Sequence, residues 1–232
     1  MKKIIIIPAF NEEANIDKVL SSVREFCPDF DILVINDGST DRTLDIAKSF
    51  PFAKTINLPI NLGIGGAVQT GFLYSRRKGY DLAVQVDADG QHKPSEVPKI
   101  VEPLLRHEAD VVIGSRFTEG GSYNKMTFRK LGIKLFALTN KILLREKITD
   151  STSGFRSYDK KAIDVLSVNY PDDYPEPEAI YILKRKRLKI KEVPVEMTGR
   201  IAGKSSISFL ESIYYMIKVF LAIFVLMLRK QE

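Results

Sequence analysis

The chain has 232 residues, 44% of them hydrophobic and 28% charged, with a formal net charge of +6. That size and balance suit one α/β domain with a large core, or such a domain with an appendage, and argue against a disordered or low-complexity chain. A single cysteine, Cys27, excludes an internal disulfide and a cysteine-rich zinc site, and two histidines leave little for a histidine site.

The opening MKKIIIIPAF carries an apolar run of about four residues ended by Pro8, against the roughly 7–15 that a signal peptide needs. Residues 3–7 therefore read as a strand buried on both faces. An acidic turn, Asn11-Glu12-Glu13, leads into a helix through Val19, Leu20 and Val23. A second strand, 32–35, closes on Asn36-Asp37-Gly38-Ser39, and Thr40 and Asp41 suit the cap of a helix over 44–48. A short strand over 53–57 precedes the glycine-rich turn Asn61-Leu62-Gly63-Ile64-Gly65-Gly66 and a helix to about Arg77. A strand at 82–86, a helix at 97–106 and a strand at 110–114 follow. Beyond them, 130–144 has helical apolar spacing, 150–156 is a polar turn entering a short strand, and 188–195 reads as a strand. The proline-rich 171–177 (PDDYPEP) is expected to be neither regular helix nor central strand.

The β-α alternation predicts a mostly parallel, Rossmann-like sheet with helices on both faces, and such sheets bind ligands at the carboxyl ends of their strands. The polar clusters 8–13, 37–39, 87–92 and 114–116 each follow a strand, which points to one site. Its centre is VQVDADGQH, residues 84–92. If the chain stays extended there, Asp87 and Asp89 point the same way. Two carboxylates together make a hard-oxygen site for Mg²⁺ or Mn²⁺, completed by water and substrate phosphates, and the cation would neutralise a departing diphosphate. The plainer reading of D-A-D-G is a solvated turn.

The segments PAFNEE, NDGSTD, NLGIGGA, DADGQH, GSR and DSTSGFR, in this order and spacing, resemble the family 2 inverting glycosyltransferases with a GT-A fold. The similarity extends over about residues 3–210 and is greatest to polyprenyl-phosphate glycosyltransferases of the dolichyl-phosphate mannose synthase type. PINLGIGGAVQTG, YPDDYPEPE and SSIS…YYMIK further resemble bacterial enzymes that load N-acetylglucosamine onto undecaprenyl phosphate for cell-wall polysaccharides. The resemblance implies that Pro8, Phe10, Glu12, Asp37, Asp87 and, at the glycine-rich turn, Gly65 bind the nucleotide. It implies that Asp87, Asp89 and Gln91 surround the divalent metal, and that Asp89 and Asp150 are catalytic. Arg116, Arg129, Ser153, Arg200 and Lys204 would receive the acceptor phosphate, to which arginine offers a planar fork. Glu13 reads better as a helix-first-turn acid, and His92 is left unassigned. Phe10 and Asn36 stand where the family more often has Tyr and Asp.

Residues 1–205 would then form the GT-A catalytic domain and 206–232 an amphipathic, membrane-associating segment. The apolar run 213–228 contains Lys218 and falls short of the ~20 residues a spanning helix needs, so it reads as an interfacial anchor, with Tyr214 and Tyr215 at headgroup level. A core helix, an oligomer interface or a docking surface for a small membrane partner are its alternatives. Lys184 to Arg187, with Lys189 and Lys191, form a basic run that suits either a solvated helix end or anionic headgroups. The expected partners are a UDP- or GDP-sugar, a polyprenyl phosphate and the cytoplasmic face of a membrane. No helix-turn-helix or zinc-finger spacing and no aromatic interleaving of the positive charges points to nucleic acid. Two other functions remain open: a same-fold transferase acting on a sugar hydroxyl, for which Asp150 is the obvious base, and a non-catalytic sugar-nucleotide-binding module.

Overall fold

The computed structural model describes residues 1–117, 148–171 and 175–198. In chain order these form β1 (Lys3–Ala9), α1 (Ile16–Phe26), β2 (Asp31–Asn36), α2 (Thr43–Lys48), β3 (Ala53–Asn57), α3 (Gly63–Arg77), β4 (Leu82–Gln85), a 3₁₀ turn (Pro94–Glu96) and α4 (Val97–Leu105). They continue with β5 (Val111–Ser115), β6 (Arg156–Asp159), α5 (Lys160–Val168), α6 (Pro175–Arg185) and β7 (Ile190–Pro194). The strands make one seven-stranded sheet in the order β3-β2-β1-β4-β6-β5-β7.

β1 explains why the sequence opens on four isoleucines. It is central, paired in parallel with β2 on one side and β4 on the other. Ile5 and Ile7 pack with Val19, Leu20, Val101 and Leu104 on the α1/α4 face. Ile4 and Ile6 pack with Val68, Phe72, Ile163 and Leu183 on the α3/α5/α6 face. All four isoleucines are at most 1% exposed, and each such burial is worth about 1.5–3 kcal/mol. α1 buries Ile16, Val19, Leu20 and Val23, the one-faced spacing that its sequence pattern predicts. Gly71 lets α3 approach β1, since a β-carbon there would overlap the Ile6 side chain.

β6 is the exception in direction, antiparallel to both β4 and β5. An antiparallel strand begins where its parallel neighbours end. The polar turn before Arg156 is therefore delivered to the same edge of the sheet as the loops after β1, β2, β4 and β5. That reversal adds residues 148–155 to the site.

Two expectations are corrected here. β4 ends at Gln85, so Asp87 and Asp89 lie in a turn and not on an extended strand. Pro175 and Pro177 open a regular helix, α6. Proline is tolerated in a helix's first turn, where its missing N–H would have had no partner. The basic run lies at the amino-terminal edge of the parallel strands, where Lys191 pairs with Glu108 and the Lys189 N–H with Asp110. It is thus separated from the site edge by the five-residue length of β7, about 17 Å. The segments 130–144 and 206–232 lie outside the described residues, and no described helix is long and apolar enough to cross a membrane.

Candidate active site at the carboxyl edge of the sheet

Two loops are bonded together above β1 and β2. The Asn11 N–H donates to Ser39 Oγ at 3.0 Å, and the Thr40 N–H donates to Asn11 Oδ1 at 2.9 Å. Asn11 adopts a left-handed conformation, φ 55°, which asparagine tolerates better than most residues. Glu13 bonds the Arg42 N–H at 3.0 Å, so it serves the start of α2 and not the first turn of α1. The Glu12 N–H donates to Thr43 Oγ1, and its Oε2 accepts from Asn15 at 2.7 Å. Asp37 is buried and accepts the Leu62 N–H at 2.7 Å, which fixes the glycine-rich turn against the end of β2. Gly38 sits at φ +67°, and a β-carbon there would lie 2.7 Å from the Asn61 nitrogen, so only glycine fits. Phe10, Ile60, Leu62 and Ile64 are all exposed around this groove. Pro8 is buried within β1, one residue before its end, and Gly65 is buried on the inner side of α3 near its start. The residues expected to bind a nucleotide therefore gather along one edge, while Gly65 presents no surface to it.

Next to them is the acid turn. Asp89 is 7% exposed; its Oδ1 accepts the Gln91 N–H at 3.0 Å and its Oδ2 the Gln91 side-chain amide at 2.5 Å. Gly90 closes the turn at φ 77°. Asp87 has a side chain 32% exposed and accepts from Gln85 Nε2 at 3.1 Å. His92 was not assigned from the sequence, yet it builds this turn. Its Nδ1 accepts the Asp87 N–H at 3.0 Å, which leaves the ring proton on Nε2, 3.6 Å from Asp87 Oδ2. The ring is stacked on Phe155 at 4.9 Å. Thr198 crosses the same turn, its N–H donating to the Gln91 carbonyl and its hydroxyl to that of Gly90.

The donor set fits a hard divalent cation: two carboxylates, with the Gln91 carbonyl oxygen as a third ligand while its amide N–H serves Asp89. Gly154 keeps the space beside them open, because a β-carbon there would stand 3.2 Å from Asp87 Oδ2 and 3.0 Å from Gln85 Nε2. Among the described residues no group of three or more His, Cys, Asp or Glu converges, so substrate oxygens and water would complete the shell.

On the other side of the cleft, Arg116 and Asp150 hold each other. Arg116 Nε and Nη2 donate to the two Asp150 oxygens at 2.8 and 2.7 Å, and the Arg116 N–H adds a third bond at 3.1 Å. The Asp150 side chain is fully buried. Both oxygens accept from the Arg116 guanidinium, so in this arrangement Asp150 mounts Arg116 and has no oxygen turned to the cleft as a proton acceptor. Ser153 is likewise turned away from the cleft, its buried hydroxyl donating to the Gly114 carbonyl at 2.7 Å. Arg129, Arg200 and Lys204 lie outside the described residues.

Sequence reasoning passed over three polar side chains that shape this edge, two of them buried and Glu192 half-buried. Glu192 on β7 accepts the N–H groups of Thr149 and Asp150 at 2.8 and 2.7 Å and the Thr149 hydroxyl at 3.0 Å. Arg156 is 1% exposed and donates to the carbonyls of Ser151, Ser153 and Glu176. Gln85 is 1% exposed, with one oxygen lacking a partner among the described residues. Only Gln85 carried a signal, as the polar residue that closes an otherwise apolar strand. Behind them, burial pushes the Tyr158 phenol up to about 12, with the Arg156 cation opposing.

The fold and much of the sequence recur in known proteins. The family model described as Glycosyl transferase family 2 matches residues 4–166. The chain is 33% identical over 216 residues to an undecaprenyl-phosphate mannosyltransferase of Micrococcus luteus, a match covering 90% of this chain and 88% of that one. It is 32% identical to a UDP-N-acetylglucosamine–dolichyl-phosphate N-acetylglucosaminyltransferase of Methanococcus voltae, covering 83% of this chain and 84% of the other. Among solved structures, glucosyl-3-phosphoglycerate synthase of Mycobacterium tuberculosis, in complex with Mn²⁺, UDP-glucose and glycerol 3-phosphate, superposes with a TM-score of 0.72 over 95% of this chain and 79% of that one. At 22% identity that likeness shows the shared GT-A fold. A seven-stranded sheet with its polar loops on one edge, matched in sequence across most of its length, identifies the chain as a member of glycosyl transferase family 2.

Proposed function

We propose that this protein is an inverting glycosyltransferase that moves a monosaccharide from a nucleotide-diphosphate sugar to a polyprenyl phosphate at a membrane surface. The observation that carries the reading is the acceptor side of the cleft, where Asp150 is spent on Arg116. A sugar hydroxyl needs a base to take its proton, whereas a phosphate arrives with a negative oxygen and needs none. The named activities of the Micrococcus and Methanococcus relatives, both on lipid phosphates, support the same acceptor.

In this reading the groove formed by Phe10, Glu12, Asp37 and the glycine-rich turn holds the nucleoside. Asp87, Asp89 and Gln91 would hold a divalent cation, Mg²⁺ or Mn²⁺, which when bound neutralises charge on the diphosphate. Gln85 and His92 fix Asp87 in place. The acceptor phosphate oxygen attacks the anomeric carbon from the face opposite the diphosphate. One carbon–oxygen bond forms, the bond to the diphosphate breaks, the nucleoside diphosphate leaves, and the configuration inverts. Arg116 stands on the acceptor side, with Arg129, Arg200 and Lys204 as further phosphate ligands. The lipid acceptor places this edge at a membrane surface, and the nucleotide-sugar donor places it on the cytoplasmic face. Residues 206–232, a small membrane protein or a second copy of the chain would supply attachment.

The test uses purified protein in detergent with Mn²⁺ or Mg²⁺, a polyprenyl phosphate, and labelled UDP-N-acetylglucosamine, UDP-glucose and GDP-mannose offered in turn. Label should enter the organic phase from one donor and be lost with Asp89→Asn. Absence of transfer from every donor, with transfer to a free sugar instead, would overturn the reading.

A further inference from the structure

Arg156 heads the large side chains that are fully buried, yet among the described residues its three hydrogen bonds go to backbone carbonyls and none to a carboxylate. A buried guanidinium with no salt bridge among the described residues is costly, and an apolar side chain of similar size would fill the space at less expense. The carbonyls it holds belong to two segments. Nε and Nη2 donate to Ser153 and Ser151 in the turn between β5 and β6, and Nη1 donates to Glu176 at the start of α6.

That turn is gripped from the opposite pole as well. Glu192, on the neighbouring edge of the sheet, takes the N–H groups of Thr149 and Asp150. A cation therefore holds carbonyls at the end of the turn while an anion holds amides at its beginning. Because the peptide unit is planar and trans, drawing the Ser151 and Ser153 carbonyls inward turns the N–H groups of Thr152 and Gly154 the other way. Between the two grips stands Asp150, the mount of Arg116.

Arg156 also borders the acid turn. Its partner in the β4–β6 ladder is Gln85, the residue that bonds Asp87. The charge of Asp87 reaches the same buried cluster and adds to the rise in the Glu176 carboxyl, which burial causes and Arg156 opposes. One buried side chain thus stands where the turn expected to hold the donor's cation meets the turn that carries Arg116.

We infer that Arg156 and Glu192 are positioning residues for the acceptor. They touch no substrate. They act through the 149–154 turn, setting Asp150 and Arg116 in register with Asp87. The inference rests on the polyprenyl-phosphate reading of the acceptor.

The experiment compares wild type with Arg156→Lys, Arg156→Met and Glu192→Gln. Lysine keeps the charge but cannot span three carbonyls on two segments. Methionine keeps much of the bulk without the charge. Glutamine at 192 keeps the size but faces one N–H group with its own amide. Two quantities are read on folded protein: the Kd for the donor with Mn²⁺, by titration calorimetry, and KM and kcat for the polyprenyl phosphate. Each variant should bind the donor within about twofold of wild type, while kcat/KM for the acceptor falls at least tenfold. Wild-type kinetic constants in variants that merely melt earlier would overturn the inference, leaving Arg156 as core filling. So would a donor affinity that falls in step with the acceptor constants. If neither Arg156 variant folds, Glu192→Gln decides by the same two readings. Absence of wild-type transfer to any polyprenyl phosphate overturns the functional reading, and the inference with it.

Discussion

Replacing Asp150 by asparagine separates the two chemistries that this fold supports. Asp150 receives three hydrogen bonds from Arg116 and its side chain is fully buried, with that of Arg116 only 13% exposed. Removing one member of a buried ion pair typically costs about 3–5 kcal/mol, because the other charge stays behind uncompensated. Asparagine keeps one acceptor oxygen and presents an amide N–H₂ to the guanidinium where the second oxygen was. We therefore expect Asp150→Asn to lose about 3 kcal/mol of stability in urea denaturation. Arg116→Gln should lose a similar amount, since it leaves the carboxylate alone. The double variant Asp150→Asn/Arg116→Gln should be no worse than either single, a coupling of about 2–3 kcal/mol. Transfer activity should follow the same non-additive pattern, each single variant lowering it and the double adding little. A proton-abstracting Asp150 gives a different result: kcat abolished by Asp150→Asn at near wild-type stability, with the Arg116→Gln effect adding independently. That outcome would refute the mounting role and restore the sugar-hydroxyl acceptor.

His92→Phe keeps a ring to stack on Phe155 but strips the Asp87 N–H of its acceptor, a loss of about 1–3 kcal/mol at a buried site; Mn²⁺ affinity measured by calorimetry should fall about tenfold in a protein that still folds, and unchanged affinity would count against a role for His92 in placing Asp87. Gly38→Ala should destabilise the protein by about 2 kcal/mol or more, through left-handed strain and a contact 2.7 Å from the Asn61 nitrogen; a wild-type melting temperature would contradict this. Cys27 is buried, and its thiol is pushed up to about 12 by burial first and by Asp29 second, with Lys3 opposing. At pH 8 it is therefore a thiol and not a thiolate, so iodoacetamide should label it only after denaturation; fast labelling of native protein would be the contrary result.

The sequence made the parallel half legible because one physical requirement shaped it. A strand buried on both faces must be apolar throughout, so IIII, ILVI and VVI announce β1, β2 and β5, and the polar residues after each mark the site edge. What stayed hidden depended on reversal of the chain. Nothing in RSYD says that β6 runs antiparallel between β4 and β5, and only that placement puts Arg156 opposite Gln85. Proline was misread at 175 and 177 because its effect depends on position, forbidding a helix interior but suiting a first turn. Asp150 looked like a base because a carboxylate in a polar turn carries no sign of its partner, and Arg116 is 34 residues away. The position of the basic run was hidden too: it joins α6 to β7, and the parallel pairing of β7 with β5 puts that junction at the edge away from the cleft.

The charges of the cleft can be followed to a consistent end. Donor and acceptor both bring phosphate to an edge that already holds Asp87, Asp89, Asp150, Glu12 and Glu192. Were all five acids free, the field would repel both substrates. They are not alike. Asp150 is neutralised by Arg116, and Glu192 is spent on the N–H groups of Thr149 and Asp150. Glu12 bonds Asn15 beside the start of α1. Asp87 and Asp89 are set in their turn by Gln85 and Gln91, amide donors that orient a carboxylate and carry no charge of their own. In the proposed function that turn is where a divalent cation would sit, with oxygen ligands of the kind it prefers. Such a cation would offset the charge of the donor's diphosphate, and a phosphate acceptor would need no base because its nucleophile is already an anion. The same allocation explains why Asp150 can be buried against an arginine in an enzyme of this family: the chemistry asks it for position, and a proton acceptor in that place would have nothing to accept.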